Sequence, residues 1–278
     1  MKKRFAFLFF CAGLNILYGR FGESPFSLSL ENENLNFEDS SLKANVFSVR
    51  ANVSAPLSTS KKNILALTAS YESLFYQWQG ATQPFDRVTQ GRLGLFSLNR
   101  LPRKWRAMTL TNLQTNIVEG VAAERGLTVG GIYGAWYEGW DSLLIGGGLG
   151  FSSDLNDKTS FFPLLFIDWE FYENWHLTTR PTPGTRFGPG LSLMYEHDDQ
   201  ISAFCGVRYI NQEYEMGNDR TYNYSTTRLF STLVYSTSRH LVVSGTLGIN
   251  LGGETTIGDQ RYDLGASLFV GSDISWIF

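Results

Sequence analysis

The sequence predicts an all-β chain closed into a transmembrane antiparallel up-and-down β-barrel of about fourteen strands, and three observations carry that prediction. Segments of alternating apolar and polar residues run through most of the chain, as expected for a wall with a different solvent on each face. Short polar breaks interrupt them at a spacing that fits two strands and a loop. The chain also finishes on an apolar strand that ends at an aromatic residue.

That last strand, Leu264 to Phe278, sets the pattern. Counting back by twos from Phe278 gives Trp276, Ile274, Ser272, Val270, Leu268 and Ala266; the other parity gives Ser275, Asp273, Gly271, Ser267 and Gly265, with Ile277 and Phe269 as exceptions. Soluble domains rarely finish this way, because a chain end is usually polar and frayed. The finish resembles the terminal strand of bacterial outer-membrane β-barrels, an uncharacterised family of Gram-negative barrels being the nearest resemblance. Ser272 departs from the pattern as a weak apolar position. The resemblance implies that Val270, Ile274, Trp276 and Phe278 form a C-terminal signal read by the barrel-assembly machinery, and that this strand closes against the first.

Composition agrees with one large β domain. The 278 residues carry a formal net charge of -3, with 43% apolar, 15% aromatic and 18% charged residues and 28 glycines, which excludes a disordered chain and gives no basic surface for nucleic acid. A mean hydropathy of -0.13 and the lack of an apolar run of ~18 residues argue against membrane-spanning helices. A barrel wall passes that test unseen, since lipid-facing and interior residues alternate and cancel in any window.

At the amino end, Lys2, Lys3 and Arg4 precede an apolar run from Phe5 to Leu17, with Gly19 at a cleavage point. Residues 1–19 are expected to be a secretory signal peptide and residues 20–278 the barrel domain, exported through the periplasm to the outer membrane. Phe10 stands where a lipoprotein signal needs a small residue, so Cys11 is not expected to be lipidated. Removing Lys2, Lys3 and Arg4 from the 23 basic residues leaves 20 against 26 acidic ones. Cys205 is then the only thiol, and no intrachain disulfide can form.

The breaks fall at 58–63, 101–104, 138–142, 172–174, 196–200 and 236–239, about 25 to 42 residues apart, and a spanning strand needs ~9 to 11 residues. Seven intervals of two strands give fourteen. The alternation is clean in Val46–Val53, Leu65–Glu72, Leu143–Ser152 and Leu241–Leu251. It is unclear in 92–101 and 226–235. The weakest interval is Trp175–Tyr195, where Pro181, Pro183 and Pro189 cannot donate to a ladder; without a hairpin there, the count falls to twelve.

Aromatics near the short breaks, among them Trp105, Tyr137, Trp140, Phe171, Trp175 and Tyr235, are expected to form one interfacial girdle on the periplasmic rim. Longer connections at 79–87, 117–126, 153–160, 215–223 and 252–261 would face outward, with Tyr76, Trp78, Phe161, Tyr222 and Tyr262 as the outer girdle.

Candidate chemistry is sparse. His176, His197 and His240 sit at short turns, and no second cluster completes a metal or acid/base site around them; neither enzymatic activity nor a cofactor is expected. Gly146 to Gly150 lacks the Lys-Ser/Thr of a phosphate loop and fits small interior residues under a close approach. By parity Arg50, Glu72, Asp168, Glu170, Arg208, Glu254 and Asp273 line the lumen, where they avoid the roughly 2 to 4 kcal/mol a basic residue costs at the lipid midplane. The functional expectation is a porin-like channel or transporter for small solutes, preferring cations because that set is net acidic. The alternative is a structural or surface-interaction barrel with a filled lumen. Outer-membrane lipid and the assembly machinery are the expected partners.

Overall fold

The computed structural model describes residues 25–38, 42–60, 63–80, 83–153, 155, 159–179, 182–183, 185–186, 188–218, 220–237 and 241–277. The expected signal peptide, Cys11, His240 and the side chain of Phe278 lie outside the described residues.

Among the described residues fifteen strands form one sheet, antiparallel between neighbouring staves. The first eight are β1 (Pro25–Asn36), β2 (Lys43–Thr59), β3 (Asn63–Gln79), β4 (Arg87–Arg100), β5 (Trp105–Val118), β6 (Leu127–Tyr137), β7 (Leu143–Ser153) and β8 (Thr159–Tyr172). They continue as β9 (Trp175–Thr178), β10 (Gly190–Glu196), β11 (Ile201–Gly217), β12 (Arg220–Ser236), β13 (Leu241–Ile257), β14 (Gln260–Leu264) and β15 (Ser267–Ile277). From β1 to β14 each pairs with the next, β13 also pairs with β15, and β15 pairs with β1 from Pro25↔Ile277 to Glu33↔Phe269, closing the ring. Because β14 and β15 lie end to end along β13, the barrel has fourteen staves. Pairing of β9 with β10 decides fourteen over twelve.

Alternation explains the wall. Leu67, Leu95, Leu113, Val129, Leu149, Leu165, Leu233, Leu247 and Val270 point outward and are exposed, while their sequence neighbours are covered. Leaving such side chains in water would cost about 1.5–3 kcal/mol each, so this face requires lipid. Exposed Trp105, Trp140, Phe171, Tyr172 and Tyr235 girdle the short-turn rim, with Trp105 against Tyr137 at 5.4 Å and Phe26 against Trp276 at 5.9 Å across the closing seam.

The barrel is not uniform in height. Strands β2, β3, β11, β12 and β13 are each 17 residues long, whereas β6 and β7 have 11. Beyond the apolar band the outward face of the tall strands and of the upper part of β1 turns polar: Asn32, Asn34 and Asn36 follow Leu30 on β1, Gln77 and Gln79 follow Phe75 on β3, and Thr221 to Thr227 replace the Leu229–Tyr235 pattern on β12. The tall strands therefore project past the lipid. There β5 meets β11 directly through the bridge Glu215↔Ile117, and Arg125, in the connection between β5 and β6, pairs with Glu215 at 3.5 Å. The pinch excludes β6 to β10 and leaves a narrower upper section.

Two expectations are corrected by this height. Residues 215–223 and 252–261 are mostly strand, not long connections, because a polar outer face still pairs in the ladder when it stands in water. Tyr76, Trp78 and Tyr222 are not an outer girdle: they are 7%, 8% and 0% exposed and face inward. Glycine 146–150 behaves as a close approach, since a Cβ on Gly148 would lie 2.4 Å from the Tyr133 carbonyl and one on Gly134 2.3 Å from the Phe166 ring.

Candidate functional site

Three layers fill the interior. The upper section holds Phe37, Tyr76, Trp78, Phe85, Tyr214 and Tyr222 with Leu35, Val46, Leu74 and Val88; the rings meet at 4.9 to 5.9 Å. Side chains suffice to fill a barrel of roughly eight strands, which is the regime the pinch creates.

Below lies a layer of ion pairs. Arg228 reaches Glu31 at 2.9 Å and Glu33 at 2.6 Å; Arg186 reaches Glu31 at 3.1 Å, Glu72 at 3.5 Å and Glu33 at 3.6 Å; Arg50 donates to Glu72 at 3.0 Å. Tyr224 donates its hydroxyl to Glu33, and Asn250 donates to the same oxygen at 2.7 Å. Glu31, Glu33, Glu72, Arg186 and Arg228 are all at most 5% exposed. Carboxylates buried this deeply persist as ions only when paired and hydrogen-bonded, and three guanidiniums against three carboxylates supply that. Arg186 comes from the Pro/Gly-rich connection between β9 and β10, which turns into the barrel: the Thr185 carbonyl accepts from Arg50, and Arg208 donates to Thr185 Oγ1 at 2.9 Å and the Arg186 carbonyl at 3.3 Å.

The lower half is polar on one side and apolar on the other. Ser29 and Ser275 donate to Asp273 at 2.7 Å each. Opposite, Ile64, Ala66, Phe96, Leu98, Met108, Leu110, Ile132, Trp136 and Phe166 form a continuous inner lining from β3 to β8. Among the described residues the wall beside β8 is incomplete. At ~3.3 Å per residue, the four residues of β9 fall well short of the ~9 to 11 a span requires. Among the described residues only Asp168 to Tyr172 of β8 pair with β9, Thr179 bonds Ile167 just above, and the Leu155 amide meets Glu213 at 3.4 Å across the top.

Of the sequence-assigned interior set, Arg50, Glu72, Arg208 and Asp273 stand together in this interior, and Asp168 lies lower, 3.6 Å from His176. Glu170 is exposed at the short-turn rim opposite His176. Glu254 differs from its parity assignment: a bulge opposite Thr226–Arg228, with Gly252 at φ +105°, shifts β13 by one residue. Its carboxylate stands outside, paired with Arg261 at 2.5 Å. With Glu31, Glu33, Arg186 and Arg228 added, four basic residues stand against five acidic ones, Asp168 included, so the net acidity behind the expected cation preference falls to a single charge. Glu31 and Glu33 share parity with Ser27 and Ser29 in β1 and were legible in the sequence; Arg186, on an irregular connection, was not. His197 stays on its turn, and no group of three metal-ligating side chains occurs among the described residues.

Asp198 shapes that turn. The amides of Gln200 and Ile201 donate to it at 2.8 and 2.7 Å and hold its carboxyl below the usual range. A depressed carboxyl stabilises the fold above its unfolded-state pKa, and the contribution is lost as pH falls through the folded value. Asp198→Ala should therefore lower the urea midpoint slightly at neutral pH and match wild type in strong acid.

No protein-family model and no curated protein matches this chain by sequence. Solved structures match by shape: the deltaS2 mutant of TodX, a monoaromatic hydrocarbon channel, at TM-score 0.59 and 9% identity over 94% of this chain and 91% of that one. An outer membrane channel from Pseudomonas putida F1 matches at 0.57 and 10% identity over 94% and 97%. The TodX deltaS2S3 mutant matches at 0.53 and 11% over 94% and 91%. The fold is that of outer-membrane channel barrels.

Proposed function

We propose that this chain is an outer-membrane channel for small apolar solutes, which pass between its interior and the bilayer beside β8. One observation carries the reading: the apolar inner lining ends at Phe166 and Leu164 on the strand that borders the incomplete wall, while the axial route is blocked by the ion-pair layer and the aromatic cluster. Unpaired backbone in hydrocarbon is costly, so a wall left short here, as it is among the described residues, fits a lateral route. The structural likeness to TodX, a monoaromatic hydrocarbon channel, supports the solute class. In this reading residues 1–19 direct export, the short turns are periplasmic, and the C-terminal strand is the assembly signal.

Intact Gram-negative cells carrying the barrel should take up labelled toluene several-fold faster than cells without it. Leu164→Arg, which puts a charge on the lining at the gap, should remove about nine-tenths of the increment, a loss of roughly 1.4 kcal/mol in barrier terms. A folded, surface-exposed barrel that leaves uptake unchanged would favour the second reading, a structural barrel. That reading has the filled interior in its favour.

A further inference from the structure

The outer wall carries a second feature, at the seam between β1, β2 and β15. Where β14 ends and β15 begins, Gly265 and Ala266 leave the ladder, and the Asn36 amide bonds the Ala266 carbonyl at 3.2 Å. The notch beside this break is a cavity of about 500 Å³. Its upper lining includes Asn34, Asn36, Lys43 and Asn45, and its lower lining Ile249 and Leu268, exposed at 43% and 58%. Asn45 donates to Asn34 at 3.0 Å and exchanges bonds with Asn32 at 3.0 and 3.3 Å, which fixes the amide row on the wall. Four carboxamides outside a barrel, directly above apolar residues, mark the height at which head groups meet acyl chains.

We infer that this notch binds the head group of one outer-leaflet glycolipid, with its acyl chains lying along Ile249 and Leu268. A carboxamide offers a donor and an acceptor side by side, matching the hydroxyls of a sugar. Lys43 supplies one positive charge for a phosphate on that sugar, and among the described residues no carboxylate lines the cavity. Phospholipid chains would fit the lower lining equally well, but a choline head offers the amide row no hydroxyl and a glycerol head only two, against the several of a sugar. The inference rests on the periplasmic assignment of the short turns, since only then does the notch face the outer leaflet.

The test is native mass spectrometry of the folded barrel released from nanodiscs holding equal amounts of phosphatidylglycerol and a phosphorylated glucosamine glycolipid. Wild type should retain one glycolipid in preference to phosphatidylglycerol. A chain with Asn34→Ala, Asn36→Ala and Lys43→Ala should retain it about tenfold less, a difference of 1.4 kcal/mol, while Lys43→Ala alone should halve the preference for the phosphorylated over the dephosphorylated form. Equal retention of both lipids by wild type, or unchanged retention by the triple variant, overturns the inference. Cysteines at 104 and 258, labelled on intact cells, report separately on orientation, and toluene uptake by the triple variant should equal wild type, so failure here leaves the channel reading standing.

Discussion

Arg228→Met should lower the urea midpoint of the folded barrel by an amount equivalent to about 3–5 kcal/mol, the cost of removing one partner from a buried ion pair. Arg228 holds Glu31 and Glu33 together and lies 4.5 Å above the Phe269 ring. Without it those carboxylates depend on Arg186, which already serves Glu72. Leaving them charged is expensive in so dry a layer. The triple change Arg228→Met, Glu31→Gln and Glu33→Gln should recover more than half of the loss, because the uncompensated charge is removed with its partner. Measuring both variants by heat-modifiability in detergent decides the matter: a single variant as stable as wild type would mean that the layer is hydrated and its charges screened.

The second large effect is expected at the closing seam. Trp276→Asp should reduce folded barrel in the outer membrane by an order of magnitude or more, and deletion of Phe278 should act in the same direction. Trp276 pairs with Phe26 in register and packs on its ring, so an aspartate would sit in the apolar band and against the first strand, at a cost of roughly 2–3 kcal/mol toward the membrane centre and less near the interface. Normal amounts of heat-modifiable Trp276→Asp protein would show that the seam is held by backbone pairing alone.

Alternation, turn spacing and the apolar finish determined the closed barrel, its stave count and the short-turn girdle, because each depends on local period and polarity. The short breaks at 101–104, 138–142, 172–174 and 196–200 are turns between paired strands, and those at 58–63 and 236–239, described in part, also separate strands that pair. Glycine 146–150 was legible as a close approach, though not which rings would cover it. Tertiary structure alone decided the height of the walls. A strand facing lipid outside and a strand facing water outside pair equally well, so hydropathy read 215–223 as loop and Tyr76, Trp78 and Tyr222 as girdle. Parity likewise fails past a bulge, as Glu254 shows, since one extra residue exchanges the faces. The functional layer was the least visible. Arg186 has no periodicity to announce it, and its meeting with Glu31, Glu33 and Glu72 depends on a connection turning inward through a wall left short. The pinch between β5 and β11 joins residues about a hundred positions apart through a single bridge, and a contact so sparse and so distant leaves no pattern along the chain.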